Sequence, residues 1–170
     1  MKWGVKQLTL MAMLVAIGTI TSTLIWFPAG IAKAYPMQHA INVISAVVLG
    51  PVGGITVAFL IGFLRDILGV GTILAFPGGM IGAFIAGWLY RKTKKLFWAA
   101  FGEVIGTGFL GAIASVPIAY FFLGKSVAVF FFVPSFLVST ISGSILAYLV
   151  ISLLMKNEMM AKQMMSFQES

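Results

Sequence analysis

The chain has 170 residues, of which 61% are hydrophobic and 9% are charged, and its mean hydropathy is +1.08. This composition is typical of a polytopic membrane protein, because about 20 mostly apolar residues make one helical crossing and unpaired backbone amides are too costly in lipid. The lack of a long polar segment argues against a soluble catalytic domain, and the lack of cysteine excludes disulfides and thiolate metal sites.

Six apolar tracts predict an all-α protein with six transmembrane helices. The predicted helices span residues 6–27, 37–49, 51–68, 73–90, 96–123 and 127–155. Gly50-Pro51 predicts a tight turn between the second and third helices, since proline suits a first helical position. Pro77-Gly78-Gly79 predicts a break near the start of the fourth. We therefore expect one transmembrane domain, residues 1–155, followed by a frayed, partly helical cytoplasmic tail, residues 156–170.

The basic residues predict the orientation of these helices. Eight of the eleven fall on one side of the predicted membrane, and three fall on the other: Lys33, Arg65 and Lys125. The side that is richer in Lys and Arg is normally cytoplasmic, so we expect both termini in the cytoplasm and the protein in the cell membrane. The net charge of +7 fits this topology better than nucleic-acid binding, which we do not expect.

Small residues recur at every fourth position in several predicted helices, a spacing that lets membrane helices approach closely. We expect most of these stripes to mediate packing within the chain. The pair Ala12 and Ala16 in the first helix could equally face a partner protein.

Several motifs have catalytic or nucleotide-binding associations, but each has a simpler interpretation. Gly106-Thr-Gly108-Phe-Leu-Gly111 lies inside an apolar helix without a preceding strand, which favours helix packing. A serine protease is disfavoured because His39 and Ser144 are predicted at different depths. One histidine and no cysteine argue against a metal site. We therefore expect neither enzyme activity nor a cofactor, and any ATP hydrolysis would occur on another chain.

Polar and aromatic residues concentrate at the predicted outer ends of the first four helices. Polar groups at membrane depth are functional candidates, because burying them unpaired costs a few kcal/mol. The candidates for binding a flat heteroaromatic ligand are Trp26, Tyr35, Gln38, His39, Asn42 and Phe76. The alternative interpretation is an interfacial aromatic belt, with His39 capping the second helix. Glu103 could serve helix packing, a proton-coupled step or a conformational switch.

Three segments resemble a known family. They are Ala12-Met-Leu-Val-Ala16, the stretch FPAGIAKAYPMQHAIN at residues 27–42, and GTILAFPGGM at residues 71–80. The last two resemble the thiazole-specific ThiW branch of the S components of energy-coupling factor (ECF) vitamin transporters. The first is similar to the AxxxA contact that S components make with their transmembrane coupling subunit.

This resemblance implies a six-helix protein that captures 4-methyl-5-(2-hydroxyethyl)thiazole, a thiamin precursor, outside the cell. It also implies partners, namely a coupling subunit and two cytoplasmic ATPases. In related S components, the last two helices supply much of the ligand pocket. Alternatives are an S component for thiamin or hydroxymethylpyrimidine, and a structural or assembly protein of the membrane.

Overall fold

The computed structural model describes residues 3–30 and 32–169, and helices account for most of them. In chain order they are α1 (Val5–Leu24), α2 (Pro36–Ile67), α3 (Ala75–Thr93), α4 (Leu96–Glu103), α5 (Ala112–Leu123), α6 (Val133–Met155) and α7 (Glu158–Glu169). A π-helical segment, Val104–Gly111, joins α4 to α5, so that Leu96–Leu123 forms one continuous rod. The predicted all-α class is confirmed.

Helix α2 is a hairpin of two antiparallel helices, 36–49 and 51–67. Gly50 has φ 77° and ψ −177°, a backbone conformation that glycine adopts without steric cost. Across the turn, a Cβ added at Gly54 would lie 3.1 Å from the Cα of Ala46. The turn predicted at Gly50-Pro51 is therefore present, and it reverses the chain.

Four helical stretches are long and apolar enough to cross a membrane, which makes the chain a multi-pass membrane protein. They are Val5–Leu24, Pro36–Ile67, Leu96–Leu123 and Val133–Met155. Because α2 contains two helices and α3 lies between α2 and the rod, the part of the bundle that the structure describes up to Met155 has six packed helical segments. The number of crossings and the orientation of the termini stay predictions.

Glycine stripes bring α3 close to its neighbours on both sides. A Cβ added at Gly87 would lie 2.7 Å from the backbone of Pro51, and one at Gly106 would lie 2.5 Å from the Cα of Gly82. Side chains at these positions would force the helices apart. The motif at residues 106–111 is thus a helix-packing element, as expected.

A short β-hairpin replaces the loop that the sequence predicted after the first helix. Strand β1 (Phe27–Ala29) pairs antiparallel with β2 (Ala32–Ala34). Two hydrogen bonds tie this region to α6: Ser135 Oγ donates to the carbonyl of Ala29 at 2.7 Å, and the backbone N–H of Tyr35 donates to Ser139 Oγ at 2.7 Å. The hairpin is therefore anchored across the end of the bundle.

The C-terminal segment forms helix α7 at the opposite end of the bundle. Helix α7 contacts α2 and α6, and Gln7 Nε2 in α1 donates a hydrogen bond to the carbonyl of Phe167 at 3.1 Å. Met164 and Phe167 pack against the hydrophobic core that includes Val47 and Val48. The tail thus closes the end of the bundle at which α1 begins.

Candidate functional site

A cavity of about 520 Å³ lies at the end of the bundle that carries the β-hairpin. Its wall is contributed by β2, both ends of α2, the start of α3, the rod, and α6 with the loop before it. These are the segments that the sequence predicted to converge on the outer face, joined by the last two helices. The volume falls in the range of roughly 300–1,000 Å³ that is usual for small-molecule sites.

Three of the six predicted binding residues line this cavity: Tyr35, Gln38 and His39. They lie at the start of α2, where the hairpin enters the helix. Residues 35, 38 and 39 are three and four positions apart, so they share one face of the helix. The other three predicted residues lie elsewhere.

Trp26, Asn42 and Phe76 are outside the cavity wall. The indole of Trp26 is half exposed and lies 3.9 Å below the ammonium group of Lys33. The ring of Phe76 packs against Phe59, with 5.7 Å between their centroids. Asn42 is fully buried one helical turn beyond His39. Asn42 can therefore act on a ligand only through its neighbours.

Arg65 forms the deepest cationic part of the wall. Its guanidinium carbon lies 4.0 Å from the centroid of the Tyr35 ring, one NH2 group donates to the carbonyl of Val70 at 3.2 Å, and the other hydrogen-bonds to Gln38 Oε1. Arg65 is 2% exposed. These contacts link the two ends of α2 and hold Tyr35 and Gln38 in place.

Glu103 lies behind the cavity wall at the centre of a hydrogen-bond network. Its Oε1 atom is 2.9 Å from His39 Nδ1, 3.1 Å from Asn42 Nδ2 and 3.0 Å from Thr107 Oγ1, and the residue is 0% exposed. Thr107 also donates to the carbonyl of Gly78 at 2.8 Å. The network joins α2, α3 and the rod, so Glu103 supports packing; the sequence left this role open.

Thr107 reaches this network from the π-helical segment, and it also lines the cavity. A π-helical turn adds a residue to the turn of an α-helix and is often found at functional sites. Glu103, at the end of α4, and Thr107, in the π-helical segment, are four positions apart, and both hydrogen-bond to residues of other helices.

No binding residue was predicted in the rod, in the loop that follows it or in α6. The wall also includes Thr107, Leu123, Lys125, Val127, Phe131, Phe132, Ser135, Phe136 and Ser139. One available signal was charge, because all three basic residues assigned to the outer side, Lys33, Arg65 and Lys125, line the cavity. A second available signal was the run of three phenylalanines, residues 130–132, directly before α6.

Three further residues from the sequence analysis, Ser144, Ala12 and Ala16, lie away from the cavity. Ser144 lines a separate apolar groove between α4 and α6, while His39 hydrogen-bonds to Glu103. This arrangement gives no support to a serine–histidine pair. Ala12 and Ala16 lie on the exposed face of α1, whereas Met11 and Leu14 pack against α2.

A family model described as thiamine-precursor transporter protein (ThiW) matches residues 8–157. Comparisons with curated proteins and with solved structures found no match. The family match extends from α1 to the end of α6 and so includes every segment that lines the cavity. The chain therefore belongs to the ThiW family of thiamine-precursor transporter proteins.

Proposed function

We propose that the chain is the substrate-capture subunit of an ECF-type importer in the cell membrane, and that it binds 4-methyl-5-(2-hydroxyethyl)thiazole. The observation that carries the proposal is the convergence of Tyr35, Gln38 and His39 on one cavity, at the end of the bundle that the charge pattern directs outward. Membership of a thiamine-precursor transporter family supports a cargo of this class.

The cavity wall has the groups that a small aromatic alcohol needs. Tyr35, Phe132 and Phe136 offer aromatic surface to a flat ring, with Phe132 and Phe136 already 6.0 Å apart between centroids. Gln38, His39 and Ser139 offer hydrogen-bonding atoms to a ring nitrogen and a hydroxyl group. A mostly apolar wall with a few polar groups is usual for such sites.

The β-hairpin is well placed to control access to this cavity. Ala32 and Lys33 of β2 line it, and the hairpin is tied to α6 through Ser135. In the proposed mechanism, the cargo enters past the hairpin and is shielded from water by it. Water exclusion strengthens the hydrogen bonds that select the cargo.

Delivery to the cytoplasm would depend on partner subunits. We propose that a transmembrane coupling subunit docks on the exposed face of α1 at Ala12 and Ala16, and that two ATPase subunits energise the complex. The small side chains of that face allow the close backbone approach on which membrane helix association depends.

The cargo is tested by isothermal titration of the purified protein in lipid nanodiscs with the thiazole alcohol. We expect a saturable one-site isotherm, and at about 100 times Kd a stabilisation near 2.7 kcal/mol against unfolding. Parallel titrations with thiamin and hydroxymethylpyrimidine provide the specificity control. Tight binding of one of these with no binding of the thiazole would assign a different cargo.

A structural role is separated from capture by substituting His39 and Asn42. Loss of thiazole uptake at normal membrane abundance supports capture. Loss of abundance alone, together with a flat titration for all three ligands, would instead identify a structural or assembly protein.

A further inference from the structure

The buried carboxyl group of Glu103 contacts the one histidine of the sequence, and that histidine lines the cavity. Glu103 itself is not part of the wall. Any effect of Glu103 on a ligand must therefore act through His39 or Thr107, the two residues that reach both the carboxyl group and the cavity.

The oxygen that faces His39 is a hydrogen-bond acceptor. Asn42 Nδ2 lies 3.1 Å from Glu103 Oε1 and 3.5 Å from the carbonyl of Gly79. A carbonyl can only accept, so the amide of Asn42 presents its NH2 group to this side, and Glu103 Oε1 receives one of those hydrogens. The same holds for the ionised carboxylate and for the neutral acid with its proton on Oε2.

The hydrogen on the imidazole follows from where the carboxyl proton is. His39 Nδ1 lies 2.9 Å from Glu103 Oε1. With Oε1 unprotonated, as in the ionised carboxylate and in the acid with its proton on Oε2, Nδ1 carries the hydrogen that Oε1 accepts. In neutral imidazole the other nitrogen, Nε2, then has a lone pair and no hydrogen. Among residues 3–30 and 32–169, Nε2 has no hydrogen-bond partner, which leaves it for a ligand.

We propose that Glu103 is a positioning residue that fixes His39 in the Nδ1–H tautomer, so that Nε2 accepts a hydrogen bond from the hydroxyl group of the cargo. This inference rests on the proposed function. The nitrogen of a neutral thiazole ring is itself an acceptor, so it cannot bond to an unprotonated Nε2. His39 therefore selects the alcohol, and the ring nitrogen needs a donor elsewhere in the wall.

The tautomer is read directly by 15N NMR of the protein labelled at histidine, in nanodiscs and with a purification tag that lacks histidine. Since the sequence has one histidine, each ring nitrogen gives an assignable signal. We expect a protonated Nδ1 and a bare Nε2 in the wild type. A protonated Nε2 with a bare Nδ1 would overturn the inference.

Two variants separate positioning from general support of the fold. Glu103→Gln keeps a carbonyl oxygen of the same reach, so it should keep the wild-type tautomer. Glu103→Met has similar size but no acceptor oxygen, so His39 should sample both tautomers. A wild-type spectrum in a folded Glu103→Met protein would overturn the inference.

Binding of a matched ligand pair tests whether His39 selects the hydroxyl group of the cargo. The probes are the hydroxyethyl thiazole and 5-ethyl-4-methylthiazole, which lacks only the hydroxyl group. We expect the wild type and Glu103→Gln to prefer the alcohol by about tenfold, and Glu103→Met to lose most of this preference because its affinity for the alcohol falls more than its affinity for the ethyl compound. A structural defect would weaken both ligands alike.

The failure of this inference differs from the failure of the proposed cargo. Equal affinity of the wild type for both ligands would overturn the role of His39 and leave thiazole capture intact. If neither ligand binds the wild type, the proposed cargo is wrong and the inferred hydroxyl contact is wrong with it. If Glu103→Met does not fold, the wild-type ligand pair and spectrum decide the inference.

Discussion

Tyr35 and Trp26 are the two aromatic residues flanking the β-hairpin for which the sequence predicted the same role, and the structure separates them. Tyr35 lines the cavity and its ring lies beneath the guanidinium group of Arg65, whereas Trp26 is half exposed beside Lys33. The difference follows from position. Tyr35 directly precedes α2 and its N–H is held by Ser139, while Trp26 precedes β1 at the outer edge.

Tyr35→Ala should weaken thiazole binding by at least about tenfold, or roughly 1.4 kcal/mol, because it removes an aromatic wall and frees Arg65 to move. Tyr35→Phe, which keeps the ring, should bind within about threefold of the wild type. Isothermal titration in nanodiscs measures both.

Trp26→Ala is the matched control for this prediction, and it should leave the affinity almost unchanged. A large loss of affinity in Trp26→Ala with a normal Tyr35→Ala would show that the cargo contacts the hairpin edge rather than the cavity described above.

Helix α1 has two faces with different environments. Met11, Leu14 and Val15 are buried against α2, while Ala12 and Ala16 belong to the exposed face. Larger apolar side chains surround the two alanines on that face, including Met13 and Ile17. An apolar face with a small-residue groove suits either lipid or a partner helix, so a variant must distinguish them.

Ala12→Trp and Ala16→Trp should each lower the yield of the complex with the coupling subunit, because a bulky side chain prevents close backbone approach. Thiazole affinity should stay within about twofold of the wild type, since both positions lie outside the cavity wall. Co-purification with the coupling and ATPase subunits measures the first effect, and titration measures the second.

Val138→Trp serves as the control, because Val138 is exposed on a different helix, α6. It should assemble normally. Normal assembly of both alanine variants would place the contact with the coupling subunit on another surface.

The two ends of the whole molecule differ in structure and in charge. One end has the β-hairpin and the cavity with Lys33, Arg65 and Lys125 in its wall. At the other end, α7 packs beneath the start of α1, and the last turn of α3 contains basic residues, of which Arg91 approaches Gly50 at the turn of α2. The positive-inside rule predicts that this second end faces the cytoplasm.

Single cysteines test this orientation without background labelling, because the sequence has none. Ser126 lies in the exposed loop at the cavity end, and Lys95 lies in the exposed connection between α3 and α4. Each is replaced by cysteine, as Ser126→Cys and Lys95→Cys. In intact cells, a membrane-impermeant maleimide should label Ser126→Cys, and it should label Lys95→Cys only after permeabilisation. The reverse pattern would place the termini outside.

Some features that depend on neighbouring residues were predictable from the sequence. The break predicted at Pro77-Gly78-Gly79 was wrong, because α3 is continuous from Ala75 to Thr93 and proline is tolerated in the first turn of a helix. The turn at Gly50-Pro51 needs a positive φ followed by a preformed helical φ, and the two adjacent residues supply both. Tyr35, Gln38 and His39 were predictable as a group for a similar reason, since helical spacing alone places them on one face. The segments that carried the family resemblance lie in the same region, and the family match confirms that resemblance.

Features that depend on distant residues were not predictable. Contacts between distant parts of the chain accompany the π-helical segment, the β-hairpin and the packing of α7. For example, Ser135 donates a hydrogen bond to the carbonyl of Ala29, and Gln7 donates one to the carbonyl of Phe167. Apolar periodicity carries little information here, because a helix that faces lipid on one side and protein on the other is apolar on both.

By itself, the sequence determined that this is a multi-pass helical membrane protein that turns at Gly50-Pro51, because composition and local backbone preference decide those properties. It also carried the family resemblance. Only the tertiary structure decided which polar groups share a site. His39 and Glu103 are 64 positions apart, and their contact exists because glycines let α3 and the rod pack closely beside α2. In an apolar environment, buried polar groups must find partners within the fold, and which partners they find depends on how the helices pack.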